Sequence, residues 1–218
     1  MTNPACGGFR IDHYRELIRT ALALDYRFAT FSEHEAVSAK RLFLMRHDID
    51  FSVDLALNFA RIEVELGIRS TYFLRLHAHY YNPFEYHTYM KLREMTRLGH
   101  EIGLHYEPGF ADAAGEDPAA MLRREKAMIE ALLDRPVLSA AAHLPAKSGR
   151  TVTEENIASF GLRYEADLPR FLERFKYLSD SNGRWREGCL CNHLGQHDRL
   201  CVLIHPFWWF ERSPVENY

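Results

Sequence analysis

Seven short apolar or β-branched runs, most of them separated by helix-length stretches, constrain what this chain can fold into more than any other feature. They lie at 42–49 (LFLMRHDI), 69–76 (RSTYFLRL), 100–105 (HEIGLH), 137–143 (VLSAAAH), 162–167 (LRYEAD), 176–180 (KYLSD) and 200–205 (LCVLIH), and each reads as a strand. The intervening stretches have readable helix ends. Ser52 can cap a helix through Leu55, Phe59, Ile62 and Leu66 that stops at Gly67. A second helix spans 84–98 and ends at Gly99. Asp117-Pro118 opens a third, through Met121, Leu122, Met128, Ile129 and Leu132. Thr153 can cap a short fourth that ends before Gly161.

Strand and helix in alternation imply parallel βαβ units with right-handed crossovers. The pattern fits an open doubly wound sheet or a small, imperfect α/β barrel. The chain has 218 residues, 47% of them hydrophobic, and no repeat, low-complexity stretch or linker divides it, so 1–218 reads as one domain.

Composition narrows the classes of function. Lys+Arg is 27 against Asp+Glu 30, a net charge of −3, which offers nothing to nucleic acid or to a membrane surface. The opening residues show no charged segment followed by an apolar one, and no apolar run is long enough to span a bilayer, so a soluble, cytoplasmic protein is expected. Four cysteines in a chain of this length do not make a disulfide framework. The 12 His and 13% aromatic residues suit a metal site and a sugar-binding cleft.

In either architecture the chemistry belongs at the carboxyl ends of the strands. Those ends carry Asp48 and Asp50, His105 and Glu107, His143, Asp180 and His205. Alternation along MRHDID puts Asp48 and Asp50 on one face and His47 on the other. Two carboxylates on one face repel unless a cation neutralises one of them. A divalent metal on Asp50 and two further ligands would leave Asp48 free as a base, with one position open for water. Read singly, the aspartates have a helix N-terminal pair as their lesser reading, and His105 is equally a hydrogen-bonded strand-end histidine.

At RHDIDF, TYF, GHEIGLH, SDSNGRW and IHPFWW the chain resembles the polysaccharide deacetylases of the NodB-homology type, carbohydrate esterase family 4, over about Leu42 to Trp209. The likeness is to the intracellular, polysaccharide-biosynthesis branch. It implies a distorted seven-stranded (β/α) barrel and a metal-dependent carbohydrate N-deacetylase. It also implies a catalytic base at Asp48, metal ligands at Asp50 and His105, and a catalytic acid at His205 supported by Asp180 and Trp185. The family places its second metal histidine four residues after the first, where this chain has Gly109. His143 is the first choice of replacement, Glu107 the second, and the His77/His79 pair a third for which aromatic packing is the plainer reading.

Glu107, Trp185, Trp208 and Tyr81 are the candidate substrate contacts. The segment CLCNHLGQHDRLC at 189–201 could hold a structural zinc, but Cys-x-Cys is not the usual spacing, and a hairpin into the last strand is the simpler expectation. The expected activity is Zn²⁺-dependent removal of an acetyl or formyl group from a nucleotide-linked, lipid-linked or short amino sugar, in bacterial surface-polysaccharide biosynthesis. Alternatives are a non-catalytic sugar-binding or scaffolding relative, and a hydrolase acting on a non-sugar amide.

Overall fold

The computed structural model describes residues 6, 8–144, 147 and 149–217. The opening residues 1–5, part of the stretch read as lacking a signal peptide, lie outside them. The strands are β1 (Tyr26–Ala29), β2 (Arg41–Ile49), β3 (Thr71–Leu74), β4 (Glu101–Tyr106), β5 (Ser139–Ala142), β6 (Tyr164–Glu165), β7 (Lys176–Ser179) and β8 (Arg199–Ile204). The helices are α1 (Ile11–Ala23), α2 (Val53–Glu65), α3 (Tyr86–Arg97), α4 (Pro108–Ala114), α5 (Pro118–Leu133) and the single turn α6 (Pro169–Leu172). Among the described residues no helix is long and apolar enough to cross a membrane.

The caps explain where helices begin. Ser52 Oγ accepts from Leu55 N at 3.3 Å, and Asp117 accepts from the amides of Ala119 and Ala120 ahead of Pro118. Thr153 does not start a helix. Asn156 precedes a 3₁₀ turn, Ile157–Phe160, that ends at Gly161 with φ 66°. The 189–201 segment is not a hairpin either: a 3₁₀ turn at Leu190–Asn192 leads into β8, and every strand ladder is parallel.

Seven strands run in the order β6-β5-β4-β3-β2-β8-β7, and β1 lies beside the first half of β2. On a flat sheet β2 and β6 would be four strand spacings apart, roughly 19 Å. Yet Arg46 of β2 reaches Asp167, just past β6, at 2.9 Å. The sheet is therefore curled into a half-barrel, which settles the choice left by the sequence pattern in favour of the imperfect α/β barrel.

The period of two along β2 sends Leu42, Leu44, Arg46 and Asp48 inward and Phe43, Met45 and His47 outward. Inside, Phe31, Phe73, Phe171, Phe175 and Cys201 fill the lower part of the half-barrel. Gly103 of β4 faces this interior, and a Cβ there would sit 2.6 Å from the Phe73 ring and the Ser139 hydroxyl, so only glycine fits. Outside, the sheet packs on α1 and α2 around a buried carboxylate, Glu63. Glu63 accepts from Tyr14 Oη, His47 Nε2 at 2.7 Å and Tyr72 Oη at 2.7 Å. That network accounts for His47, which the alternation places away from the aspartates.

Candidate metal centre and active site

Both aspartates sit at the carboxyl end of β2. Asp48 is clasped by Arg46, with Nη2 3.0 Å from Oδ2 and 3.2 Å from Oδ1 and Nε 3.3 Å from Oδ1. Burial alone would raise the Asp48 pKa, but the adjacent guanidinium outweighs it and holds the group ionised. Arg46 is a participant that the sequence reading missed. Its signal was present, since an arginine at an inward position of a buried strand needs an anionic partner.

Asp50 lies one step further out. Burial raises its pKa and the neighbouring His105 imidazole lowers it, with a net depression. His105 ends β4. Its Nδ1 lies 3.0 Å from the Ala141 carbonyl, which can only accept, so Nδ1 carries the proton. Nε2 is then turned toward the carboxylates, 3.4 Å from Asp50 Oδ1 and 3.5 Å from Asp48 Oδ2.

His143 follows β5, and its backbone N–H donates a hydrogen bond to the Tyr106 carbonyl at 2.8 Å. Its Nε2 is 3.8 Å from Asp50 Oδ1, and its Nδ1 is 3.4 Å from Glu107 Oε1. Leu144 beside it has φ 50°, a left-handed conformation that costs a branched side chain on the order of 1 kcal/mol.

Ligand atoms of Asp50, His105 and His143 lie within 4.8 Å of one another. Asp50 Oδ1 is buried without a hydrogen-bond partner. A carboxylate and two imidazoles facing one gap, with an orphaned buried oxygen among them, fit a divalent ion with an open position.

The other ligand candidates are employed elsewhere. Glu107 pairs with Arg75 and His143, and although burial opposes ionisation these partners bring it down to about 2. It stands behind His143 in the position of a carboxylate that orients a ligating imidazole. His77 bonds Glu125 at 2.8 Å and stacks on Phe110 at 3.9 Å, as the aromatic-packing reading expects.

On the opposite side, His205 follows β8. Its Nδ1 lies 2.6 Å from Asp180 Oδ1, and Asp180 also accepts the His205 amide at 3.0 Å. Burial disfavours the imidazolium, but Asp180 more than offsets this and pushes His205 up to about 9. Nε2 faces Asp50 Oδ2 at 3.7 Å. The second oxygen of Asp180 receives Trp209 Nε1 at 2.9 Å.

That bond corrects the sequence reading, which paired Asp180 with Trp185. Trp185 instead stacks on Phe9 and stands edge-on to Trp209. Tyr81 is also committed: its hydroxyl donates toward the carbonyls of Ile49 and Arg75 at 2.6 and 2.8 Å, tying the loop after β3 to the end of β2. Trp208 lies near Phe51 and Phe207, which stack at 4.5 Å, with Tyr80 continuing the row at 5.2 Å from Phe51. This aromatic wall adjoins Asp50 and His205 in sequence and in space. Access is graded: the Asp50, His205 and His143 side chains are 12%, 11% and 17% exposed, while Asp48 and His105 beneath them are 5% and 2%.

The half-barrel thus carries a carboxylate–imidazole cluster at its strand ends. Known structures show the same fold at low sequence identity. IcaB from Ammonifex degensii matches with TM-score 0.51 and 17% identity, over 71% of this chain and 74% of that one. The Streptococcus pyogenes deacetylase PplD, in complex with acetate, matches with TM-score 0.52 and 12% identity, over 89% and 83%. BA3943 from Bacillus anthracis, a CE4 family pseudoenzyme, matches with TM-score 0.50 and 14% identity, over 79% and 60%. No family model and no curated protein matches the chain.

Proposed function

We propose that this chain is a metal-dependent hydrolase that removes an N-acyl group, acetyl or formyl, from an amino sugar. The observation that carries the reading is the convergence of Asp50, His105 and His143 between Asp48 on one side and an Asp180-held His205 on the other. A divalent ion such as Zn²⁺, when bound by those three residues, supplies Lewis-acid polarisation of the acyl carbonyl.

The chain's own residues move the protons. Asp48, ionised beside Arg46, accepts a proton from the attacking water as its oxygen bonds to the acyl carbon. His205, protonated and aimed by Asp180, gives its proton to the nitrogen as the C–N bond breaks. The products are the free amine and the carboxylic acid. The wall of Tyr80, Phe51, Phe207 and Trp208 offers a face on which a sugar ring stacks. A nucleotide, a lipid or a short glycan would carry the rest of the substrate past that wall.

The fold also occurs in BA3943, described as a pseudoenzyme, which favours a second reading as a non-catalytic sugar-binding or scaffolding protein. Metal analysis and one variant separate the two. The hydrolase holds a divalent ion that His105→Ala releases, and Asp48→Asn keeps the ion while losing amine release from N-acetyl and N-formyl amino sugars. Divalent-ion content that His105→Ala leaves unchanged after Zn²⁺ addition, or unchanged hydrolysis in Asp48→Asn, overturns the hydrolase reading.

A further inference from the structure

A second cluster of ligating side chains lies outside the active site. Cys6, His13, Cys189 and Cys191 bring three sulfurs and one imidazole nitrogen within 4.8 Å of one another. His13 Nε2 is 3.5 Å from Cys6 Sγ and 3.3 Å from Cys189 Sγ. With Zn–S about 2.3 Å and Zn–N about 2.0–2.1 Å, a tetrahedral zinc site has S···N edges of about 3.6 Å, close to both of these S···N separations. We infer that Cys6, His13, Cys189 and Cys191 form a Cys₃His structural zinc site.

The surroundings agree with that assignment. His13 and Cys189 are buried, and Cys6 and Cys191 are half-buried against the core. The Glu16 carboxylate lies 3.5 Å from His13 Nδ1. Its negative charge favours the proton on Nδ1, although no hydrogen bond joins the two groups, and this leaves the Nε2 lone pair facing the sulfurs. Four protein ligands leave no open position, so the site serves structure rather than chemistry. Binding replaces thiol protons with zinc, releasing one proton for each sulfur that ligates as thiolate.

The sequence alone could not show this, because the ligands lie at opposite ends of the chain, 176 positions apart between His13 and Cys189. The 189–201 segment contributes only its first two cysteines. Cys201 is in the half-barrel interior, and His193 stacks on His197 instead.

What the site would hold in place is visible. The segment after Cys6 bonds to the segment after His205, through Ile11 N to Phe210 O at 2.9 Å and Phe210 N to Phe9 O at 3.0 Å. Phe9 packs edge-on against Trp209 at 5.3 Å, and Trp209 donates to Asp180. Zinc at the cysteines would clamp the chain segment that backs Trp209.

The test is elemental analysis and cobalt substitution of the full chain purified without chelator or His-tag. Expected is one zinc per chain that survives His105→Ala and is lost in Cys6→Ser. Co²⁺ in its place should give an intense near-ultraviolet thiolate-to-cobalt band, which the active-site trio cannot produce because it contains no sulfur. Should Cys6→Ser fail to fold, a mercurial titration of the wild-type thiols, followed with a chromogenic zinc indicator, gives the same answer by releasing zinc as the thiols react. Absence of a thiolate–cobalt band, zinc lost entirely in His105→Ala, or a disulfide among Cys6, Cys189 and Cys191 in a non-reduced peptide map would each overturn the assignment. The outcome is independent of catalysis, since this zinc is expected even if the active-site reading fails.

Discussion

Arg46 clasps Asp48 from two positions earlier on the same strand, and with its other nitrogen it reaches Asp167 at 2.9 Å. One buried cation thus serves two buried carboxylates. Replacing it with methionine leaves both anions unpaired in the interior, which should cost about 3–5 kcal/mol. Urea unfolding measures that loss. Arg46→Lys keeps the charge but gives up the fork, and should lower stability less. In any variant still folded, removal of the positive partner raises the Asp48 pKa. The acidic limb of the deacylation pH profile should therefore move to higher pH, and a limb that stays in place would show that Asp48 is not the base.

Glu107 lies behind His143 rather than in the metal gap. Glu107→Gln should leave the fold intact and weaken Zn²⁺ binding by roughly 10–100-fold, the usual effect of losing an orienting partner. His143→Ala should be more severe. Competition with a zinc chelator measures both. Equal affinities in Glu107→Gln and wild type would remove His143 from the ligand set or Glu107 from its support.

Asp180 holds the proton on His205 Nδ1 and so turns Nε2 toward Asp50 Oδ2, the orientation the proposed general acid needs. Asp180→Asn should reduce kcat by roughly 10²–10⁴-fold, the range of a lost general acid, with metal content unchanged. Trp209→Phe removes one donor from Asp180 and should have a smaller effect of the same kind, while Trp185→Phe should leave kcat near wild type. A reversed order for the two tryptophans would contradict the geometry.

The Glu63 network makes stability depend on acid. Burial raises the Glu63 pKa, but His47 and the other partners outweigh this and bring it from 4.5 to about 2. A carboxylate with a depressed folded pKa stabilises fully above its unfolded value near 4.5 and loses that contribution as pH falls toward about 2. The contribution is on the order of 3 kcal/mol. Thermal unfolding from pH 6 to pH 3 should show the decline, and Glu63→Gln, less stable at pH 6, should show a flatter profile.

Local periodicity made much of the molecule legible. The strand runs, the Ser52 and Asp117 caps and the opposite facing of His47 and Asp48 all follow from spacings within a few residues, and the structure reproduces them. Helix α1 buries Tyr14, Leu17, Ile18 and Ala21 at helical spacing, but no side-chain cap marks its start at Arg10, so its sequence signal is weaker. Strand β1 is only YRFA, too short to show alternation.

Local sequence thus sets the order of elements and which residues stand at the carboxyl ends of strands, because backbone period and capping act over a few residues. Which of those residues meet was decided only by the tertiary structure. The curl of the sheet brings Asp167 onto Arg46, sets His143 rather than Glu107 facing Asp50, and gives Asp180 to Trp209 instead of Trp185. The pairing of Cys6 and His13 with Cys189 and Cys191 has the same origin. Contacts across a curled sheet depend on strand order and crossover path, and no spacing along the chain encodes those distances.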